Sequence, residues 1–227
     1  MSQTPLTPGE RANRTGGSGV RKAQAAETEA RLKDAARRVF ARRGYLNTKI
    51  RDITDEAGRA AGSFYNHFAS KEALLEALLG DFVAEFDERI DHLGADHDLS
   101  DRATLREHVA AGWYAYKGHR AEFLALRQAS MVGERFALRW RQRYVLEVRP
   151  MSEHMERLRE AGYNLPGDPA VVASAVIAML EQFCYVWLIE NVAPGDRQLE
   201  DDEAIETLTS LILNGIVGPA PHTAVEG

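Results

Sequence analysis

From about Thr28 onward, apolar residues recur at intervals of three and four, and an alternating strand pattern appears nowhere. The chain therefore reads as all-α. A first helix is expected from about Thr28 to Arg43, with Leu32, Ala36, Val39 and Phe40 on one face and Gly44 as its C′ residue. Thr48 is placed to cap a short second helix carrying Ile50, Ile53 and Ala57, which Gly58 stops. A third short helix covers about Ala60 to His67. Ser70 then caps a long fourth helix, with Leu74, Leu75, Leu78, Leu79, Phe82, Phe86 and Ile90 at helical spacing.

The second half continues the period. Gly94 to Ser100 reads as a loop and a candidate boundary. A helix follows from about Asp101 to Tyr116, with Leu105, Val109, Trp113 and Tyr116 on one stripe, then a shorter one from about Glu122 to Met131. A long helix from about Glu134 to Ala161 contains Pro150, which should kink or restart it. Asp168-Pro169 has the form of a helix start, cap then N1 proline, and the helix to about Asn191 is apolar nearly all round. A last helix spans about Asp202 to Gly215. The apolar run Ala170–Leu180 is shorter than the roughly 20 residues of a membrane span, so a buried or dimer-interface helix is expected, and no membrane partner.

Composition adds little except in how charge is distributed. Hydrophobic residues make up 44% of 227, enough for a sizeable core. Residues 1–24 mix Pro, Gly, Ser and Thr with Arg11, Arg14, Arg21 and Lys22, and read as a flexible basic tail. The net charge of −6 conceals +5 over residues 1–80 and −11 over the remainder. A phosphate-binding surface, if present, lies at the N-terminal end. The polar start shows no leader, and the lone Cys184 forms no intramolecular disulfide; both fit a cytoplasmic protein.

Two short helices joined at Gly58-Arg59-Ala60 form a helix-turn-helix, whose second member enters a major groove in DNA-binding proteins. Such corners also occur in ordinary bundles. The stretch Arg31–Tyr45 (RLKDAARRVFARRGY), with Asp52-Ile53, Ala57-Gly58, Gly62-Ser63-Phe64-Tyr65, His67-Phe68 and Ser70-Lys71-Glu72, resembles the DNA-binding domain of the tetracycline-repressor (TetR) family. The resemblance covers about Thr28 to Leu79. It implies a three-helix DNA-binding domain at 25–80, a helical effector and dimerisation domain at 81–218, and a flexible end at 219–227.

On that resemblance the DNA-contacting residues are Thr48, Lys49, Arg59, Ala61, Gly62, Ser63, Tyr65, Asn66, His67 and Lys71. Gly62 would allow close approach to the DNA backbone, and Ser63 and Asn66 suit base edges. Tyr65 and His67 would reach phosphates or bases, while Thr48, Lys49 and Lys71 sit at helix starts that favour a phosphate. Phe40, Ile53, Phe64 and Phe68 are the expected core. Two positions depart from the family pattern: Arg59 replaces a buried valine-like residue, and Ala60 replaces the Ser or Thr cap of the recognition helix.

Aromatic residues concentrate in the middle of the chain. Trp113, Tyr116, Phe123, Phe136, Trp140, Tyr144, Met179, Phe183 and Trp187 are the candidate lining of an effector pocket, with ordinary core packing as the alternative for each. Arg127, Arg135 and Arg139 lie near it in sequence. Family resemblance places the dimer contact on the last two helices. His92 and His97 form a ligand-rich patch without metal-site spacing, no catalytic motif is present, and neither metal, cofactor nor enzymatic activity is expected. The expected function is a ligand-responsive regulator, a repressor released from a palindromic operator by a small apolar or aromatic effector. The alternative is a helical carrier or sensor that does not bind DNA.

Overall fold

A computed structural model describes residues 8–94, 97–190 and 197–216, and among them there is no strand. The chain forms two compact units, Met1–Leu74 and Leu75–Gly227.

The first unit holds α1 (Pro8–Arg43), α2 (Ile50–Glu56), α3 (Ala61–Tyr65) and the start of α4 (Lys71–Ile90). Helix α1 begins at Pro8, not near Thr28, so residues 8–24, expected as flexible tail, are helical; residues 1–7 lie outside the described part. Residues 19–27 of α1 are exposed and bury no face. The run Ala23-Gln-Ala-Ala-Glu27 consists of strong helix formers, which extend a helix nucleated on the core. From Leu32 onward α1 buries Leu32, Ala35, Ala36, Val39 and Phe40, joined by Tyr45, Ile53, Phe64, Phe68 and Leu74 in one core. Each large side chain there contributes about 1.5–3 kcal/mol.

The punctuation follows the sequence at most corners. Gly44 takes φ 71° and its N–H donates to the Phe40 carbonyl at 2.8 Å, ending α1. Gly58 takes φ 63°, and Ser70 Oγ accepts the Ala73 N–H at 3.2 Å. At α2 the cap differs from expectation: Lys49, not Thr48, is the N-cap residue. Thr48 is buried and donates its hydroxyl to the Gly44 carbonyl at 2.7 Å, so it closes the preceding turn. The first turn of α2 is held by Asp52, whose carboxylate accepts the Lys49 N–H at 2.8 Å. That bond, opposed by partial desolvation and assisted by Arg43, holds the Asp52 carboxyl below its ordinary range.

The second unit contains the remainder of α4, a 3₁₀ turn Asp91–Leu93, then α5 (Arg102–Gly118), α6 (Arg120–Val132), α7 (Glu134–Glu160), α8 (Pro169–Cys184), a π-helical segment Tyr185–Glu190, and α9 (Asp201–Ile216). Asp101 and Asp168 cap α5 and α8, accepting the N–H of Thr104 and Ala170 at 2.8 and 2.9 Å. Helix α7 runs through Pro150 without a restart. Proline removes one donor, but Phe136 before it and Met151, Met155 and Leu158 after it are buried, and that packing holds both halves in one helix. The helix expected to reach Asn191 becomes π-helical at Tyr185; Asn191 lies outside the described residues.

Helix α5 is bolted to α9 along one stripe. Arg102 meets Glu206 at 2.6 Å, Arg106 meets Glu206 and Asp202, and Lys117 meets Asp201 at 2.6 Å. Cys184 is buried, and burial pushes its thiol up to about 12. His92 pairs with Glu107, whereas His97 lies between His108 (Nε2 to Nδ1, 3.2 Å) and His154 (ring centroids 4.4 Å). Among the described residues no group of three ligand-type side chains is arranged to hold a metal ion.

Pro169–Glu190 as a continuous helical stretch is 22 residues with mean hydropathy 1.8, long and apolar enough by length and composition to cross a membrane. This corrects the reading of the apolar run alone, which stopped at Leu180. Only 22% of its most apolar window is buried within the chain.

Candidate nucleic-acid interface and effector cavity

Helices α2 and α3 meet at a turn closed by backbone bonds. Ala57 N–H donates to Ile53 O at 2.9 Å, and Arg59 N–H donates to Thr54 O at 2.9 Å. A Cβ on Gly58 would meet nothing within 4 Å, so conformation and not space requires glycine there. Helix α3 is anchored by one residue, Phe64, fully buried and in ring contact with Phe68 at 5.7 Å. Around it Ala61, Gly62, Tyr65 and Asn66 are exposed and Ser63 is half-buried, so α3 presents a polar outward strip. Tyr65 is 59% exposed. Gly62 also has open space where a Cβ would stand, so no neighbour within this chain demands glycine. Lys49 is exposed at the start of α2. As the departures implied, Ala60 caps α3 without a side-chain bond, and Arg59 is half-buried with its Nε out of solvent and lacking a partner.

Three of the expected contact residues are occupied elsewhere. Lys71 does not hold out its ammonium for a phosphate: Nζ donates to the carbonyls of Tyr45 and Thr48 at 2.7 and 2.8 Å and lies 4.1 Å from the Tyr45 ring centroid. Desolvation lowers its pKa from the ordinary lysine value. Lys71 is thus a pin that ties the α1–α2 loop to α4. Thr48 is buried, as described, and His67 is half-buried beside Phe68 with Nδ1 3.9 Å from Glu29. The partners of Lys71 and His67 lie far off in sequence, where local reading does not reach, whereas that of Thr48 is only four residues away.

In the second unit a cavity of about 250 Å³ is lined by Tyr116, Phe123, Leu126, Arg127, Ser130, Glu181, Tyr185 and Ile189. Tyr116 and Phe123 stack at 4.0 Å, and the Arg127 guanidinium lies over the Tyr185 ring at 3.6 Å while donating to Gln182 at 3.0 Å. Behind that wall stands Phe82 of α4, edge-on to Phe123 at 4.8 Å and to Tyr116 at 5.2 Å. His119 binds Glu85 of α4 and buried Glu122 of α6, both at 3.0 Å. Burial disfavours its charged form, but the two carboxylates outweigh this and raise its pKa.

Of the aromatic candidates, Tyr116 and Phe123 line this cavity. Trp113 does not: it is fully buried and its indole N–H donates to Asp201 at 2.9 Å, joining α5 to α9. Phe136 is buried away from the cavity, and Tyr144, Met179, Phe183 and Trp187 are half-buried outside its lining. Phe183 packs against Trp113 and Trp187. The side chains of Trp140, Arg135 and Arg139 lie outside the described residues. Sequence reading missed Leu126, Ser130, Glu181, Tyr185 and Ile189; the last two sit on the π-helical segment, whose register no α-helical pattern anticipates.

A buried-core trihelical unit with an outward, cap-poor second helix is a helix-turn-helix domain, and it is followed here by a larger helical unit. Residues 32–78 match the model of the bacterial regulatory proteins, tetR family. The repressor KstR2 of Rhodococcus jostii (strain RHA1) is 38% identical over 84 residues, 37% of this chain and 41% of that protein. The chain thus matches well under half of that repressor's length. A tetR-family regulatory protein from Rhodococcus RHA1 superposes with TM-score 0.66 at 23% identity, over 85% of this chain and 98% of the other. AibR, solved with isovaleryl coenzyme A and operator DNA, gives TM-score 0.61 at 18% identity over 85% and 100%. At these identities the superpositions speak for the fold.

Proposed function

We propose that this chain is a transcription regulator that binds a palindromic operator as a homodimer in the cytoplasm and is released by a small apolar or aromatic effector. One observation carries the DNA-binding reading. Helix α3 spends a single residue, Phe64, on the core and leaves Ala61, Gly62, Tyr65 and Asn66 facing outward. An open glycine on such a helix makes sense when the close neighbour is another molecule. Ser63, Tyr65 and Asn66 supply donors and acceptors for base edges or phosphates, and Lys49 supplies charge.

The homodimer reading rests on the apolar surface of α8 and α9, where Val171 is 63% and Leu211 56% exposed. Such faces suit an isologous helix–helix interface, which also explains a span-length apolar helix without invoking lipid. The effector reading rests on the Tyr116–Phe123 wall and on its contact with Phe82. Helix α4 starts in the DNA-binding unit and touches the cavity wall at Phe82, eleven residues on, so a ligand that displaces Tyr116 or Phe123 acts on α4. The structure of AibR with both an acyl thioester and operator DNA supports a regulator of this type.

The test is selection of bound duplexes from a random pool, with sedimentation of the protein alone. A palindrome with half-site centres about 34–36 Å apart, or a multiple, and a dimer at micromolar concentration are expected. A stable monomer that retains no duplex at low salt overturns the reading in favour of a helical carrier or sensor.

A further inference from the structure

The extension of α1 at residues 19–27 is an exposed feature that the helix-turn-helix does not use. Residues 19–27 are exposed on every side, and Arg21 and Lys22 meet no ion-pair partner among the described residues. Where α1 joins the core its charges are paired instead: Arg31 with Glu27 at 2.6 Å and Lys33 with Glu29 at 3.6 Å. Glu29 also marks where α1 passes the end of the recognition helix, since its carboxylate lies 3.9 Å from His67, two residues after α3.

The register of the helix then becomes informative. At about 100° per residue, position 22 falls within about 20° of Glu29 and position 21 within about 80° of it. At about 1.5 Å per residue, Lys22 stands about 10 Å beyond Glu29, the residue that touches the end of α3.

We propose that this extension is a second DNA-binding element, which lays Arg21 and Lys22 against backbone phosphates flanking the site read by α3. The inference rests on the DNA-binding reading above and adds affinity without sequence information, because phosphates are alike at every step. Its occupant is a duplex longer than the bases α3 contacts.

The experiment uses the full chain and a labelled random-sequence duplex of 40 base pairs, titrated by fluorescence polarisation at several salt concentrations. Each phosphate contact adds about 0.9 to the slope of log K against log salt. Arg21→Ala/Lys22→Ala should lower the slope by about two units, with the selected sequence unchanged. Arg141→Ala/Arg149→Ala, exposed on α7, removes the same charge and should leave the slope as in the wild type. If the wild type binds the duplex and Arg21→Ala/Lys22→Ala keeps its slope, or the control pair lowers it equally, the second element is refuted while the helix-turn-helix reading stands. If the wild type binds no duplex, both fall together.

Discussion

At the residue scale, Lys71 shows how a charge at a helix start acquires a role that spacing does not reveal. It serves two carbonyls 26 and 23 residues earlier in the chain. Lys71→Met should leave both carbonyls unpaired and cost about 1–3 kcal/mol in urea denaturation, with the salt slope of DNA binding unchanged. Ser63→Ala or Tyr65→Phe should behave inversely: near-native stability, with altered affinity or base preference in selection. Trp113 was equally opaque to pattern, since its partner Asp201 is 88 positions away. Gly44, Gly58, Ser70 and Asp168 were legible because their bonds close within four residues. His108 is the clearest titration probe. Burial, with His154 and His97 adding to it, lowers its pKa from 6.5 to about 3. The unfolded chain therefore binds a proton that the folded chain refuses, and stability falls as pH drops from about 6.5 toward 3. His108→Gln should flatten that part of a stability–pH profile by several kcal/mol, on the scale of roughly 1.4 kcal/mol per pKa unit.

At the element scale, α3 is short and lacks a side-chain cap at Ala60, whose backbone already has an extended cap conformation at φ −70° and ψ 148°. Ala60→Ser should therefore stabilise the domain by about 1 kcal/mol, read as a higher urea midpoint at constant m-value. Failure to gain would mean that the serine hydroxyl cannot reach the N–H of the next turn. Helix existence and order were visible in the 3–4 spacing of apolar residues, and boundaries were close wherever a cap or a glycine stood. Two elements resisted. The α1 extension buries no face over residues 19–27, so no burial pattern announces it. The π-helical segment after Cys184 preserves apolar content while changing register, which a 3.6-residue reading cannot detect.

At the scale of the whole molecule, the expected behaviour is a reciprocal coupling. A compound filling the cavity by Tyr116 and Phe123 should weaken operator binding, and operator should weaken that compound by the same factor, typically 1–3 kcal/mol. Phe82→Ala should reduce this coupling while preserving ligand binding, since Phe82 stands behind the wall; identical affinities with and without operator in the wild type would remove the coupling altogether. The buried thiol of Cys184 offers an independent view of such motion. With its pKa near 12 and no second cysteine in the chain, it is chemically silent while α8 stays closed. The rate at which an added disulfide reagent labels it is then a clock for opening of that helix, counted one event at a time. Effector and operator should each reset that clock, and the protein carries the timer without any engineered label.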